Sequence, residues 1–155
     1  MARWLRFAHD APAFADAVRR TFVGRDGVAI AFLATASRAA DPHLAPICPI
    51  FADDGLYVSA VLHTPKVRDL RAGSRFALHA FLGRDDEEVQ LRGRAHEILD
   101  DPTRARVHAA IRFAAFDPTH PIFEFDIESA VWVHWQNPGE VDTRPVRNVW
   151  RQRGP

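Results

Sequence analysis

The sequence has 155 residues, of which 47% are apolar and 26% charged, so we expect one domain over residues 1–155 with a buried core. Twenty basic residues balance twenty acidic ones, and the only cysteine is Cys48, which argues against a nucleic-acid surface and excludes disulfide frameworks and cysteine-based zinc sites. No apolar run approaches the ~20 residues of a membrane span and no signal-peptide stretch opens the chain, so we expect a cytoplasmic protein without membrane contact.

The first predicted elements are a helix and a strand. Apolar residues recur every four positions from Phe14 to Phe22, which predicts one N-terminal amphipathic helix over residues 10–23, capped by Asp10. A near-continuous apolar run over residues 28–36 then predicts a strand that is buried on both faces.

Prolines and turn residues shape the next strands. Pro46 and Pro49 interrupt the segment 43–52, so we predict an edge strand or a bulged strand there. Asp53-Asp54-Gly55 carries the Asp-Gly signal of a tight hairpin, which leads into a strand over residues 56–61.

The second half of the chain is also rich in strands. Apolar runs and alternation predict five of them, over residues 75–82, 88–99, 123–128, 130–135 and, in the C-terminal tail, 145–151. We expect the strands at 123–128 and 130–135 to pair with each other. Asp101-Pro102 begins a helix between these strands.

The element order predicts a mainly β fold. Six or seven mostly antiparallel strands with short helices are typical of a β-barrel, here over about residues 27–136 with helical additions. An α+β sandwich would give the same pattern, so the residues alone leave these two architectures open.

A short predicted helix carries an unusual charge. Thr64 is its N-cap, Pro65 its first residue and Gly73 its end, and the only lysine of the chain, Lys66, lies in its first turn. A helix N-terminus favours anions, so a lysine there is unfavourable unless an anion offsets it. Backbone N–H groups, a hydroxyl and a lysine form a phosphate site; the alternative is a solvated lysine with Asp69 nearby on the helix surface.

The order of these motifs is specific although each motif is weak. A strand, an Asp-Gly hairpin, a second strand, a Thr-Pro-Lys helix and a further strand resemble the pyridoxamine 5′-phosphate oxidase-like FMN-binding split barrels. The resemblance runs from about Val28 to Leu99 and is carried by residues 32–36, 42–47, 55–59, 63–70, 75–78 and 89–95. It implies a six- to seven-stranded antiparallel split barrel, a homodimer, and FMN in a groove between the two barrels.

The resemblance also implies which residues contact the flavin. Thr64 and Lys66 would hold the phosphate, and Ser59 and Ala60 would lie beneath the ring and ribityl chain. The isoalloxazine edge would be contacted by Pro46, Ile47, Cys48 and Pro49, and the ring by Gln90 of the other subunit. Apart from the resemblance, His63 adjoins the phosphate site and could contribute to it or pack before the helix, and Trp150 could close over the flavin or stack on a substrate ring. The alternatives are structural: Cys48 as a small buried residue, and Trp150 with Trp132 and Trp135 in the core or the dimer interface.

The implied activity is that of a flavin-dependent oxidoreductase with a small-molecule substrate or NAD(P)H, and with no metal. Pyridoxamine phosphate oxidation itself is not expected, because the tail lacks the family's Arg-x-His pair. The alternatives are a deazaflavin, for which Arg68, Arg71 and Arg144 would be available, a haem, or a flavin-binding module without turnover.

One charged segment is assigned to the surface. Asp85-Asp86-Glu87-Glu88 is expected to form a solvated hairpin, with Arg92 and Arg94 as its ion-pair partners.

Overall fold

Eight strands and four helices make up residues 3–82, 85–114 and 117–153, which are the residues that the computed structural model describes. The helices are α1 (Arg3–Asp10), α2 (Pro12–Phe22), α3 (Pro65–Arg71) and α4 (Asp101–Ala110). The strands are β1 (Ala31–Ala36), β2 (Pro42–Ile47), β3 (Ile50–Ala52), β4 (Gly55–Ser59), β5 (Arg75–Ala80), β6 (Glu88–Glu97), β7 (Ile122–Gln136) and β8 (Arg144–Arg151). None of these described helices is long and apolar enough to cross a membrane.

The strands form one antiparallel sheet whose two ends are joined by a very short connection. The order is β2-β1-β5-β6-β7-β4-β3, and β8 pairs with β7 beside this path. Only Cys48 and Pro49 separate β2 from β3. In a flat sheet, strands six steps apart lie about 29 Å from each other, whereas three Cα–Cα steps span at most about 11 Å. The sheet must therefore curl until its ends approach, which makes a barrel that is split between β2 and β3.

This architecture confirms the mainly β, antiparallel split-barrel prediction. Seven strands form the ordered path of the sheet, and the predicted tail strand, β8, pairs beside it as an eighth. Cys48-Pro49 divides the predicted 43–52 strand into β2 and β3. Both pieces lie at the ends of the sheet, where a proline without an N–H donor breaks no central ladder.

The barrel interior is filled by the alternating side chains of the strands. Leu33, Leu78, Leu91 and Phe125 are at most 1% exposed, and Phe76 packs on Phe125 with ring centroids 4.6 Å apart. The alternation predicted for β6 is therefore present. By the same alternation β1 is buried on one face only, so the prediction of burial on both faces was wrong.

The N-terminal region contains two helices where the sequence predicts one. The predicted helix over 10–23 is observed as α2, which begins at Pro12 after Ala11, and Asp10 ends α1 instead of capping α2. Helix α1 buries Trp4 and Phe7 against the barrel. Its arginines also bind β7: Arg3 pairs with Glu124, and Arg6 donates to Asp126 over 2.6 Å.

The two strands predicted over 123–128 and 130–135 are one continuous strand. β7 runs for 15 residues and does not fold back on itself; it pairs with β4, β6 and β8. A register shift beside Gly93 of β6 accommodates the extra residue Glu128, whose carboxylate binds Arg75 and lies 3.6 Å from Arg94. β8 coincides with the predicted tail strand and extends the sheet beside β7.

The β3–β4 hairpin is shifted by one residue from the predicted turn. Ala52 pairs with Gly55, so the two-residue loop is Asp53-Asp54, with Asp53 at a positive φ of 48°. Gly55 is required for a different reason than the turn. A Cβ on Gly55 would lie 2.2 Å from the side chain of Tyr57.

Candidate functional site

The outer face of the sheet brings two of the predicted flavin contacts into one row. Across neighbouring strands Pro46 pairs with Phe32, Phe32 with His79, and His79 with Gln90. Three strand spacings separate Pro46 from Gln90 by about 14 Å. The two residues therefore share a face but do not touch within one chain.

This outer face, defined by the exposed side chains of β2, β1, β5, β6, β7 and β8, carries uncovered apolar groups. Phe32 stacks on Phe81 with ring centroids 4.1 Å apart, and Phe81 is still 42% exposed. Leu44 is 70% exposed and Val149 45%. Exposed apolar side chains grouped on one face are typical of a surface that another molecule covers.

Gln90 lies in a shallow depression of about 350 Å³ on the outer face, shared with His79, Arg92 and Arg147. Its carbonyl oxygen accepts a hydrogen bond from Nε of Arg92 over 2.9 Å. The amide nitrogen of Gln90 is then the group that can donate to a ligand.

The segment between β2 and β3 alternates between exposed and buried residues. Pro46 is exposed, Ile47 and Pro49 are buried, and Cys48 is half-buried. Burial, with a contribution from the charge of Asp26, raises the pKa of the Cys48 thiol. Cys48 is therefore a protonated thiol at neutral pH.

The start of α3 leaves donor groups free for an acceptor. Thr64 has the N-cap position, but its hydroxyl donates to the carbonyl of Val61 over 2.9 Å and accepts no helix N–H. His63 precedes it with a positive φ of 69°, and its carbonyl accepts from Arg68 over 3.1 Å. Lys66 is half-exposed and forms no ion pair with any residue that the structure describes.

The C-terminal end of α3 matches its prediction. Gly73 has a φ of 84°; its N–H donates to Leu70, and the N–H of Ser74 donates to Asp69. These two bonds form a Schellman motif, which fixes where the helix ends.

Ser59 and Ala60 lie where β4 leaves the sheet toward α3. Ser59 is half-buried and pairs with Ile122 of β7. Ala60 is 3% exposed, and its N–H donates to the carbonyl of Pro121 over 3.1 Å. The two residues are therefore held by β7 while the chain turns toward His63.

Trp150 lies on the opposite face of the sheet from Gln90. It pairs with buried Ala130, and its ring meets Phe7 of α1 edge-on with centroids 4.9 Å apart. Within one chain, Trp150 is therefore a packing residue beneath α1 and is not brought together with the outer-face residues.

A buried polar cluster beneath α3 is absent from the sequence predictions. Asp69 is 4% exposed, not on the helix surface as the sequence suggested, and accepts hydrogen bonds from Thr35 Oγ1 and His43 Nδ1, both over 2.7 Å. Burial acts to raise the pKa of Asp69, but the hydrogen bonds from His43 and Thr35 outweigh it and lower the pKa below its ordinary value of 3.8. The cluster ties α3 to β1 and β2, one helical turn after Lys66.

The low pKa of Asp69 predicts an acid-dependent loss of stability. The folded-state pKa lies below the unfolded value of 3.8, so the stabilisation is complete above that pH and is lost as the pH falls through the folded value. We expect the difference in unfolding free energy between the wild type and Asp69→Asn to shrink below about pH 4. Urea unfolding from pH 7 to pH 3 measures it; a constant difference would contradict the ionised pairing.

Glu87 belongs to a network rather than to a solvated hairpin. Arg20 donates to its carboxylate from Nη2 over 2.6 Å and from Nε over 3.1 Å. Trp132 Nε1 donates to the same carboxylate over 2.8 Å. The hydrogen bond from Arg20 lowers the pKa of Glu87, and Trp132 adds to this against the opposing effect of burial. The expected ion pairs between this segment and Arg92 or Arg94 do not form.

Comparisons with known proteins identify the fold. At the level of sequence, no family model matches the chain and no curated protein is similar to it. Among solved structures, a NimC/NimA family protein from Clostridium acetobutylicum is similar with a TM-score of 0.59 and 10% identity, over 94% of this chain and 95% of that one.

Two further solved structures have a similar fold. A protein of the pyridoxinephosphate oxidase family from Clostridium acetobutylicum, related to general stress protein 26, has a TM-score of 0.57 and 11% identity over 92% of this chain and 95% of its own. A heme binding protein from Mycobacterium smegmatis has a TM-score of 0.54 and 15% identity over 84% of this chain and 57% of its own. The chain thus has the split-barrel fold of the pyridoxamine 5′-phosphate oxidase-like proteins, as its motif order predicts.

Proposed function

We propose that the chain is an FMN-binding split barrel that acts as an oxidoreductase, with the flavin held at the interface of a cytoplasmic homodimer. The observation that carries this proposal is the start of α3, where Thr64 turns its hydroxyl to Val61 and leaves the first helix N–H groups without a side-chain acceptor. Lys66 stands beside these donors without an ion pair among the described residues. Free helix N–H groups beside a lysine ammonium group are suited to binding a phosphate.

The outer face supports the dimer and the ring site. Its exposed Leu44, Phe81 and Val149 are suited to burial against a second copy of the same face. In an isologous pair, the Pro46 end of one row would lie within reach of Gln90 of the other subunit. The amide nitrogen of Gln90 would then donate to a polar edge of the flavin.

The flavin, when bound, supplies hydride transfer, and the protein contributes binding and orientation. Lys66 and the first N–H groups of α3 would hold the phosphate. Pro46 and Pro49 cannot donate to a ladder, so acceptor groups around Cys48 stay available to a planar ligand. The apolar outer face would keep water away from the ring once two subunits meet.

A haem is the second candidate ligand, because one structural neighbour is a heme binding protein. On the outer face, Nδ1 of His79 lies 2.6 Å from the carbonyl oxygen of Ala80 and donates a hydrogen bond to it. In this tautomer Nε2 keeps the lone pair that a metal ion needs. A UV–visible spectrum of the purified protein, repeated after heat release and after addition of FMN, separates the candidates. Paired flavin bands favour FMN, a Soret band favours haem, and an unperturbed spectrum of added FMN would overturn the flavin proposal.

The phosphate assignment has its own test. Lys66→Ala is expected to weaken FMN binding about tenfold, because one charge-assisted hydrogen bond is lost. Flavin fluorescence quenching measures the dissociation constant, and size-exclusion chromatography checks the dimer. Arg106→Ala, which removes an exposed cation on α4, is the matched control and should leave binding unchanged. Equal affinities of wild type and Lys66→Ala for FMN would contradict the assignment.

A separate measurement addresses turnover. NAD(P)H consumption by the reconstituted protein distinguishes an enzyme from a storage or sensing module.

A further inference from the structure

A second cavity is lined by none of the residues assigned to the flavin. It measures about 650 Å³, the size of a small-molecule site, and is formed by α2, the segment before β6, and the β7–β8 connection. Trp132 and His134 form its wall and Trp135 lies at its rim. Trp132 pairs with buried Val89, so Trp132 and His134 face the helices, on the opposite side of the sheet from Gln90.

Aromatic rings dominate the wall of this cavity. The rings of Trp132 and His134 lie with centroids 4.7 Å apart, and Trp135 is 40% exposed. Nδ1 of His134 is buried and has no hydrogen-bond partner among the described residues, which is uncommon for a buried polar atom. A flat ligand would stack on the rings that line the cavity.

The charges around the cavity favour a cation. Arg20 is bound to Glu87, and this hydrogen-bonded pair is electrically balanced. Asp85 and Asp86 also line the cavity, and neither forms an ion pair within the described part of the chain. Among the described residues that line the cavity, the balance is therefore negative. The Arg20 guanidinium already lies 5.9 Å from the centroid of the Trp132 ring, so the face that attracts a ligand cation through its quadrupole is that of the exposed Trp135.

The far wall of the cavity is preorganised by hydrogen bonds. The hydroxyl of Thr143 lies 2.6 Å from the carbonyl of Asn137 and 2.7 Å from that of Glu140, and Asn137 donates to Asp142 over 2.7 Å. Gly139 within this loop has a φ of 88°. A loop held in this way costs a ligand little ordering entropy on binding.

From these observations we propose that the Trp132–Trp135 cavity binds a small aromatic organic cation, such as a protonated amidine or a ring amine. The aromatic part stacks on the tryptophans, and the cationic head is directed to Asp85 and Asp86. This site is independent of the proposed flavin site, because it uses different residues on the other side of the sheet.

Three isosteric probes test the charge and the shape together. Benzamidinium, benzamide and benzoate have nearly the same size and carry charges of about +1, 0 and −1. Each is titrated into the full chain as purified, and the four tryptophan indole N–H signals are followed by two-dimensional NMR. We expect benzamidinium to shift the signals of Trp132 and Trp135 and to leave that of buried Trp4 unchanged, with about fivefold weaker binding of benzamide and no binding of benzoate.

Variants separate this site from nonspecific binding. Trp135→Ala should weaken benzamidinium binding about fivefold, and Asp86→Asn about threefold. Asp101→Asn, an exposed carboxylate on α4, is the matched control and should change nothing. Equal binding of benzamidinium and benzamide, shifts confined to Trp4 or Trp150, or no shift at millimolar probe would each overturn the proposal, whatever the flavin experiments give.

Discussion

Replacing Gly93 with alanine is expected to destabilise the fold by about 3 kcal/mol or more, since overpacking against a fixed backbone cannot relax. A Cβ at this position would lie 1.8 Å from the carbonyl oxygen of Asp126 and 2.9 Å from its carbon. Both atoms belong to the β7 backbone at the register shift between Arg92 and Gly93, where neither strand can move without breaking the ladder. Urea unfolding of the variant measures the effect.

Gly139→Ala is the matched control for Gly93→Ala. Gly139 has a φ of 88°, and an added Cβ would meet nothing within 4 Å, so the cost is only that of a left-handed alanine, about 1 kcal/mol. Similar losses for the two variants would mean that the close approach at Gly93 relaxes more easily than the β6–β7 pairing suggests.

Asp69→Ala is expected to lower the unfolding free energy at pH 7 by about 2–3 kcal/mol, because a buried acceptor of two hydrogen bonds is removed. Thr35 is 5% exposed and would be left with an unpaired hydroxyl, and His43 would lose the carboxylate that orients its ring. Asp69→Asn keeps an acceptor for Thr35 and should cost less than Asp69→Ala. Urea unfolding of the three proteins gives the comparison.

The opposite order, with the asparagine variant the less stable, would indicate that its amide N–H₂ cannot be accommodated beside His43. Equal stability of all three proteins would mean that the cluster contributes nothing to the attachment of α3. Asp69→Ala also tests the proposed phosphate site, since Lys66 lies on the same seven-residue helix.

Local patterns predicted the elements whose causes are local. The alternation in β6, the Thr64-Pro65 start and Gly73 end of α3, and the edge position of the proline-rich strands each depend on neighbouring residues. These signals predicted a mainly β, antiparallel fold, and the family resemblance carried by their order implied the split barrel. Helix α1 was missed because it is eight residues long, has no acidic residue in its first turn, and is held mainly by contacts with β7.

Features that depend on distant partners could not be predicted from the sequence. Asp69 looks like one more surface charge until Thr35, 34 residues away, is found beside it. In the sequence Glu87 resembles a solvated residue, because its partner Arg20 is 67 residues away along the chain. The break predicted between residues 128 and 130 coincides with the register shift opposite β6, which depends on the pairing with β6 and is not a turn.

The pairing of β7 has a consequence for synthesis of the chain. This strand begins at Ile122 and is about 50 Å long at 3.3 Å per residue. Among the described strands, it alone pairs with all three of β4, β6 and β8. On a ribosome, β1, β2, β5 and β6 can assemble as they emerge, while the β3–β4 hairpin has no neighbour until β7 arrives. The barrel is therefore completed only after β7 has emerged, and until then the edges of β4 and β6 stay open to other chains.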